Sequence, residues 1–454
     1  MEQKKSINIG WRGWMLVIYQ FTAMLAYVVF NNYPMNALAG SGMYGGQQLV
    51  SSVSSIGIII GIIIQIFLAG KIGKIKSVKR LSIGMGIVTM ILCLGVMAIP
   101  PSSQTLWLVV YFLSSIIILV WATFTVGILV GQWFPRRKGT IMGIVTIAFP
   151  IGNALLSVFA GRVFSTMATT GQPNIFGGYL PFFIVIALGL LIGALFVSDY
   201  PEQVGCFRDN DQNMTPEIAQ KMMEEEIENK KTTVWTLGHT LKSPDFWLIT
   251  VPMGLMLMGS VGAMTQTTSI IGSYGVGPDT PQFGLIMLAN AAFAIIGSFV
   301  LGLVDTKFGT KKAMIIAFCF MVVAGILGSI ASFKTMVAGM MMLAIFMGAS
   351  SNFTVSGSVQ YWRREDFPSV FGVVNPVANL IQAVAPIAFA MLITSIGGQA
   401  SQGGVSRAFT FILIIAVISL IMMFLFKPGR VKEYDDRYRE AAGKPLDDAL
   451  VGRK

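Results

Sequence analysis

Ser51-Ser-Val-Ser-Ser-Ile-Gly-Ile-Ile-Ile-Gly-Ile-Ile-Ile-Gln-Ile-Phe-Leu-Ala-Gly70 runs directly into Lys71-Ile-Gly-Lys74-Ile-Lys76-Ser-Val-Lys79-Arg80. A helix needs about 20 predominantly apolar residues to cross the hydrocarbon of a bilayer, so the first segment reads as a span and the second as the loop that ends it. Working outward, Trp107 to Gly131 and Thr335 to Ser358 are runs of the same kind. The whole pattern predicts twelve helices, over 13–34, 48–70, 82–99, 107–131, 140–161, 180–198, 246–271, 283–304, 313–332, 335–358, 371–395 and 408–426.

The cations fall in alternate gaps. After span 2 come the five just quoted; after span 4 come Arg136, Arg137 and Lys138; after span 8, Lys307, Lys311 and Lys312; after span 10, Arg363 and Arg364. The odd-numbered gaps carry almost nothing basic, only Arg162, Lys334 and Arg407 at their margins. By the positive-inside rule, both termini and the long middle loop are expected to be cytoplasmic, in a cell (inner) membrane. The first run is of span length and no small-residue cleavage site follows it, so it is expected to be retained.

With 54% hydrophobic and 12% charged residues, a chain of this length uses the lipid bilayer as solvent for its apolar surface. The formal charge of +11 sits in loops beside spans, where it sets topology, and no nucleic-acid partner is expected. No metal-ligand cluster, nucleophile constellation or Walker loop is present, so neither an enzyme, a cofactor nor ATP-driven pumping is expected. His239, the sole histidine, reads as structural or solvated.

Composition also divides the chain. Between Asp199 and Asp245, Glu224, Glu225, Glu226 and Glu228 crowd beside Lys230 and Lys231. The expected organisation is a six-helix bundle over 1–198, a cytoplasmic linker over 199–245, a second six-helix bundle over 246–427 and a cytoplasmic tail over 428–454. The halves repeat. At an offset of 232, Gly70, Ser77, Lys79 and Arg80 correspond to Gly302, Gly309, Lys311 and Lys312. At an offset of 229, Gly143, Thr146, Pro150 and Asn153 correspond to Gly372, Asn375, Asn379 and Gln382. Such halves suit a substrate site at their interface and a rocking motion around it.

Gly302-Leu-Val-Asp305-Thr-Lys307-Phe-Gly309-Thr-Lys311-Lys312 resembles the loop signature of the major facilitator superfamily, whose twelve-span plan covers the chain. The resemblance implies an all-α membrane protein of two pseudo-symmetric bundles. It also implies that Asp305, with Lys307 and Gly309, latches against the start of span 5 near Arg136 and Arg137. An acidic group is favoured at a helix N-terminus by the dipole and the free N–H groups there; the competing reading is that these loop charges only fix topology. The first copy carries Gly73 where Asp305 aligns, so the latch is expected on one side only. Gln132-Trp-Phe-Pro-Arg-Arg-Lys-Gly139 and Leu241-Lys-Ser-Pro-Asp-Phe-Trp247 are similar to the oxalate:formate antiporter branch and its monocarboxylate-transporter relatives. Members of that branch hold carboxylates with basic residues in helices 8 and 11; spans 8 and 11 here have none.

The spans as bounded above contain no Asp, Glu, Lys, Arg or His, so a site must be built from neutral polar groups. Asn375, Asn379 and Gln382 in span 11 stand at i, i+4 and i+7, on one helix face. Gln20, Tyr27 and Asn31 share a face of span 1; Asn153 in span 5, Gln266 in span 7 and Asn352 in span 10 add further amides, and Trp121 an aromatic wall. An unpaired amide in hydrocarbon is costly, so these faces must turn inward, either to a wet cavity or to neighbouring helices. The expected function is a monomeric carrier of a small organic solute, a monocarboxylate or other organic anion by resemblance, working by alternating access as a symporter, antiporter or uniporter. The alternatives are a carrier of a neutral, weakly acidic or drug-like compound, and a membrane sensor that does not transport.

Overall fold

Lipid offers no partner to backbone N–H and C=O groups, so each apolar run closes its hydrogen bonds within itself as a helix. The computed structural model describes residues 8–32, 43–71, 75, 77–134, 138–152, 154–156, 174–211, 214–218, 220–221, 224, 233–278, 280–363, 366–444 and 446. They form α1 (Gly10–Asn31), α2 (Met43–Leu68), α3 (Val78–Ala98), α4 (Pro101–Trp133), α5 (Ile141–Leu156), α6 (Ile175–Phe196) and α7 (Pro244–Thr265). Then follow α8 (Pro281–Phe308), α9 (Thr310–Ser329), α10 (Phe333–Tyr361), α11 (Ser369–Ile393), α12 (Gln402–Leu425) and α13 (Pro428–Ala441). Ten are long and apolar enough to cross a membrane singly, and α10 makes an eleventh, bent by 42° between Phe333–Met347 and Asn352–Tyr361. The predicted fifth span appears as the shorter α5; the remainder of its predicted range lies outside the described residues. No strand occurs among the described residues.

Several helices start earlier than their apolar runs, because caps and not hydrophobicity begin them. Asn174 accepts from Gly177 N (2.8 Å), Thr280 from Phe283 N (3.3 Å) and Ser401 from Gly404 N (3.1 Å). Proline occupies the first turn of α7 and of α8, where its missing N–H costs nothing. One correction follows: the spans are uncharged only in their middles. Asp245 falls in the first turn of α7, Lys311 and Lys312 in that of α9, and Arg407 in α12.

Each half has its own core. Among the described residues, members from Ile9 to Val197 form one buried cluster, which Ala383 of α11 joins, and members from Val234 to Val431 form the other. Close approach depends on glycine. A Cβ at Gly189 would collide with Thr22 where α6 lies on α1, and one at Gly297 would strike the Ile345 carbonyl where α8 lies on α10. The repeat is visible in the caps, since Ser77 and Gly309 stand at the N-caps of α3 and α9. Asp199 accepts from Ser77 Oγ (2.6 Å) and Lys79 N (2.7 Å), while Gln360 and the Tyr361 hydroxyl accept from Thr310 N (2.7 Å) and Lys311 N (2.9 Å).

Helix α13, which follows α12, is bound to the bundle. Val431, Asp435 and Arg439 form the buried stripe of α13 at i, i+4 and i+8. Asp435 pairs with Arg363 (2.7 Å) and Arg439 (3.1 Å), and Arg439 pairs with Asp366 (2.9 Å). The end of the linker is drawn in: Trp235 Nε1 donates to Asp435 (2.9 Å), Thr233 Oγ1 to Asp366 (2.6 Å), and the His239 ring stacks on Tyr438 at 4.0 Å. Burial raises the Tyr438 phenol above its ordinary value, with Tyr434 adding to the rise. Asp245 accepts from Lys427 N (3.1 Å) and Arg430 (2.9 Å). This end of the bundle is called the linker end below, and the opposite one the far end.

Candidate functional site

Helix α1 passes into a π turn over Val28–Asn32, a geometry that recurs at functional sites because it displaces side chains from the regular register. Three predicted residues of α1 are buried: Gln20, Tyr27 and Asn31, at 0%, 2% and 0% exposure. Among the described residues, both amide atoms of Gln20 have no hydrogen-bond partner, while the Tyr27 hydroxyl and Asn31 Nδ2 make no bond of good geometry although the Tyr27 hydroxyl interacts with Asn31 and Gln382. The rest of Asn31 is committed, its Oδ1 accepting from Ser54 (3.1 Å) and its carbonyl from the Tyr111 hydroxyl (2.6 Å). Tyr27 stands beside Asn31 and, across the seam between the halves, beside Gln382 of α11. Phe149 of α5 meets its ring edge to face at 5.9 Å.

In α11, Gln382 is buried and Asn375 and Asn379 are half-buried, whereas Leu380 and Val384 are exposed. Asn375 accepts from Thr354 of α10 (3.4 Å). Asn352 accepts from Thr146 of α5 (3.3 Å), a contact between halves. Asn153 lies outside the described residues.

Two predicted residues are engaged elsewhere. Trp121 lies in a second π turn, Val120–Thr125, and its indole donates to Tyr19 Oη (3.0 Å). Tyr19 meets Ser82 (2.6 Å), Ser82 meets Thr125 (2.9 Å), and Thr125 donates to the Trp121 carbonyl (2.6 Å), closing a buried circuit inside the N-terminal half. Gln266, at the far end of α7, accepts from Gln47 and donates to Ser51 Oγ (3.4 Å) and the Pro386 carbonyl (3.2 Å). Sequence reasoning missed Gln47 and Gln48, since a polar pair at the edge of a span looks like ordinary loop.

At the proposed latch, Asp305 accepts from Thr310 Oγ1 (2.7 Å) at the first turn of α9. Gly309 has φ +88° and donates to the Asp305 carbonyl (2.9 Å), making the tight turn from α8 to α9; Lys307 is exposed. Helix α8 packs against the start of α5, but Arg136 and Arg137 lie outside the described residues.

Two six-helix halves with a buried polar seam define a polytopic membrane transport protein. The sequence matches the Major Facilitator Superfamily over residues 16–278 and again over 270–451, and the chain belongs to that family. No curated protein sequence matches it. Among solved structures it is similar to the proton:xylose symporter XylE bound to 6-bromo-6-deoxy-D-glucose, with TM-score 0.68 and 11% identity, covering 91% of this chain and 95% of that one. The xylose transporter XylE from E. coli in a partially occluded inward-open conformation gives 0.66 and 13% over 91% and 95%. A bacterial homolog of the human lysosomal transporter Spinster, inward-facing and unoccupied, gives 0.57 and 14% over 92% and 97%. At these identities the likeness is one of fold.

Proposed function

We propose that the chain carries a small organic solute across a cell membrane by alternating access, holding it between α1 and α11. The observation that carries this reading is the buried polar face of α1: the Gln20 amide, unpartnered among the described residues, and the Tyr27 hydroxyl beside Asn31, with Gln382 opposite. A buried polar group without a partner costs about 1–3 kcal/mol, a cost that a bound solute removes by completing the missing hydrogen bonds. Asn375, Asn379 and Asn352 extend the polar seam toward the linker end.

The favoured substrate class is a monocarboxylate. Amide N–H and phenol O–H donors can hold one carboxylate without a cation, and the resemblance to the oxalate:formate and monocarboxylate branch points the same way. The linker end is cytoplasmic by its basic loops, and the protein works as a monomer in the inner membrane. A second reading is a neutral hydroxylated solute, favoured by Gln20 Oε1, an acceptor that a carboxylate does not use. Thermal unfolding of purified protein against acetate, lactate, oxalate, xylose and glucose separates them, since a ligand of the folded state stabilises it by roughly 2.7 kcal/mol at 100 times its Kd. A rise with lactate or acetate supports the first reading and a rise with the sugars alone supports the second. Saturable uptake of the stabilising compound into proteoliposomes establishes transport; binding without flux leaves a sensor.

A further inference from the structure

At the far end of the seam neutral amides join the two halves, and they converge on interruptions in two helices. Helix α7 stops at Thr265, Gln266 takes φ −110° and ψ 11°, and a short helix Thr267–Gly272 follows. Within α11 the hydrogen-bond ladder is interrupted at Val384, where the backbone stays right-handed (φ −78°, ψ −15°), with Pro386 in the first turn of the next piece, Ala385–Ile393. Gln266 Nε2 donates to the Pro386 carbonyl (3.2 Å), tying the two interruptions together. From the other half, three residues at the start of α2 reach the same place. Gln47 donates to Gln266 Oε1, Ser51 accepts from Gln266 Nε2 (3.4 Å), and Gln48 donates to Thr394 Oγ1 at the end of α11 (2.9 Å).

We propose that Gln47, Gln48, Gln266 and Thr394 are the far-side gate, and that Gln266 closes the site and is not a ligand of the solute. The assignment refines the function proposed above and rests on it for what is being gated. Both ends of the Gln266 amide are already engaged, in contrast to the unpartnered Gln20 on α1. The two interruptions let the outer pieces of α7 and α11 swing from their own hinges when the amides part. No charge takes part in these contacts, so screening has nothing to act on and the gate opens equally at low and high salt.

The test needs no substrate. In a protein with Cys93, Cys206 and Cys319 replaced, Ser54→Cys places one thiol a turn of α2 deeper than Ser51. Labelling by a membrane-impermeant maleimide is followed from the far side of sealed vesicles, with unfolding temperature measured for every variant. The parent labels slowly, at one rate from 50 mM to 1 M salt. Gln47→Glu with Gln266→Glu sets like charges against each other and labels at least about tenfold faster, the factor that 1.4 kcal/mol of lost closure produces. Gln47→Lys with Gln266→Glu restores the slow rate, which a merely structural role for either residue does not produce. An unchanged rate in the double Glu variant, or failure of the Lys–Glu pair to reclose it, overturns the gate. So does Gln266→Ala abolishing thermal stabilisation by the compound found in the screen while labelling stays slow. If the screen finds no ligand but the charge pair still governs labelling, the gate stands and the proposed substrate class falls.

Discussion

Arg363 Nε lies 2.7 Å from Asp435 Oδ2, joining the turn after α10 to a helix that follows the last span. Both side chains are buried, at 7% and 1% exposure, and Asp435 also receives Arg439 and the Trp235 indole. Desolvating such ions is costly, so the cluster holds only while every partner is present. Asp435→Ala leaves two guanidinium groups without their shared carboxylate. The expected loss is about 3–5 kcal/mol, seen as a lower unfolding temperature with the linker end near Trp235 newly open to protease. Unchanged unfolding would mean that α13 merely rests on the bundle.

At the α8–α9 turn, Gly309 holds φ +88° and ψ 160°, a region essentially confined to glycine that costs a residue with a Cβ roughly 1–3 kcal/mol. Gly309→Ala is therefore expected to lower stability by that amount. Asp305→Asn keeps the Thr310 hydrogen bond but removes the charge, and the latch predicts a shift between forms open at the linker end and at the far end. The measurement is cysteine accessibility on both faces. Equal labelling before and after the change assigns Asp305 to the turn alone.

The spans and the halves were legible in the sequence because both are written in periodic apolarity and in alternating charge, and lipid permits little else. What apolarity could not show was where polar side chains end their hydrogen bonds. Gln20 and Gln266 look alike in the sequence, an amide inside an apolar run, yet one is unpartnered and the other crosses between halves. The tail was legible only as polar chain. Its buried stripe of Val431, Asp435 and Arg439 has helical spacing, but two of the three are charged, and hydrophobic periodicity is blind to charges buried by pairing.

Trp121 shows how a span aromatic is assigned by its partners. Its indole closes the circuit through Tyr19, Ser82 and Thr125, so Trp121→Phe removes one donor and leaves a buried phenol short of a bond. The expected cost is about 1–3 kcal/mol of stability with ligand affinity unchanged. A loss of affinity at unchanged unfolding temperature would return Trp121 to the substrate site.

The α1 face predicts a trade between stability and binding. Gln20 is fully buried with both amide atoms unpartnered, so Gln20→Leu exchanges an uncompensated polar group for an apolar one of similar size. The ligand-free protein is expected to gain about 1–3 kcal/mol, raising its unfolding temperature. The same change removes two hydrogen-bonding atoms from the proposed site, and affinity for the transported compound should fall by about tenfold or more. Tyr27→Phe and Gln382→Ala should weaken binding in the same assay without that gain, because Gln382→Ala opens a void at the seam and Tyr27→Phe removes a hydroxyl that Asn31 and Gln382 already face. The sign is what matters for Gln20. A variant that is less stable than the parent shows the amide satisfied by water and held for packing, whereas greater stability together with lost uptake marks a residue kept for its cargo.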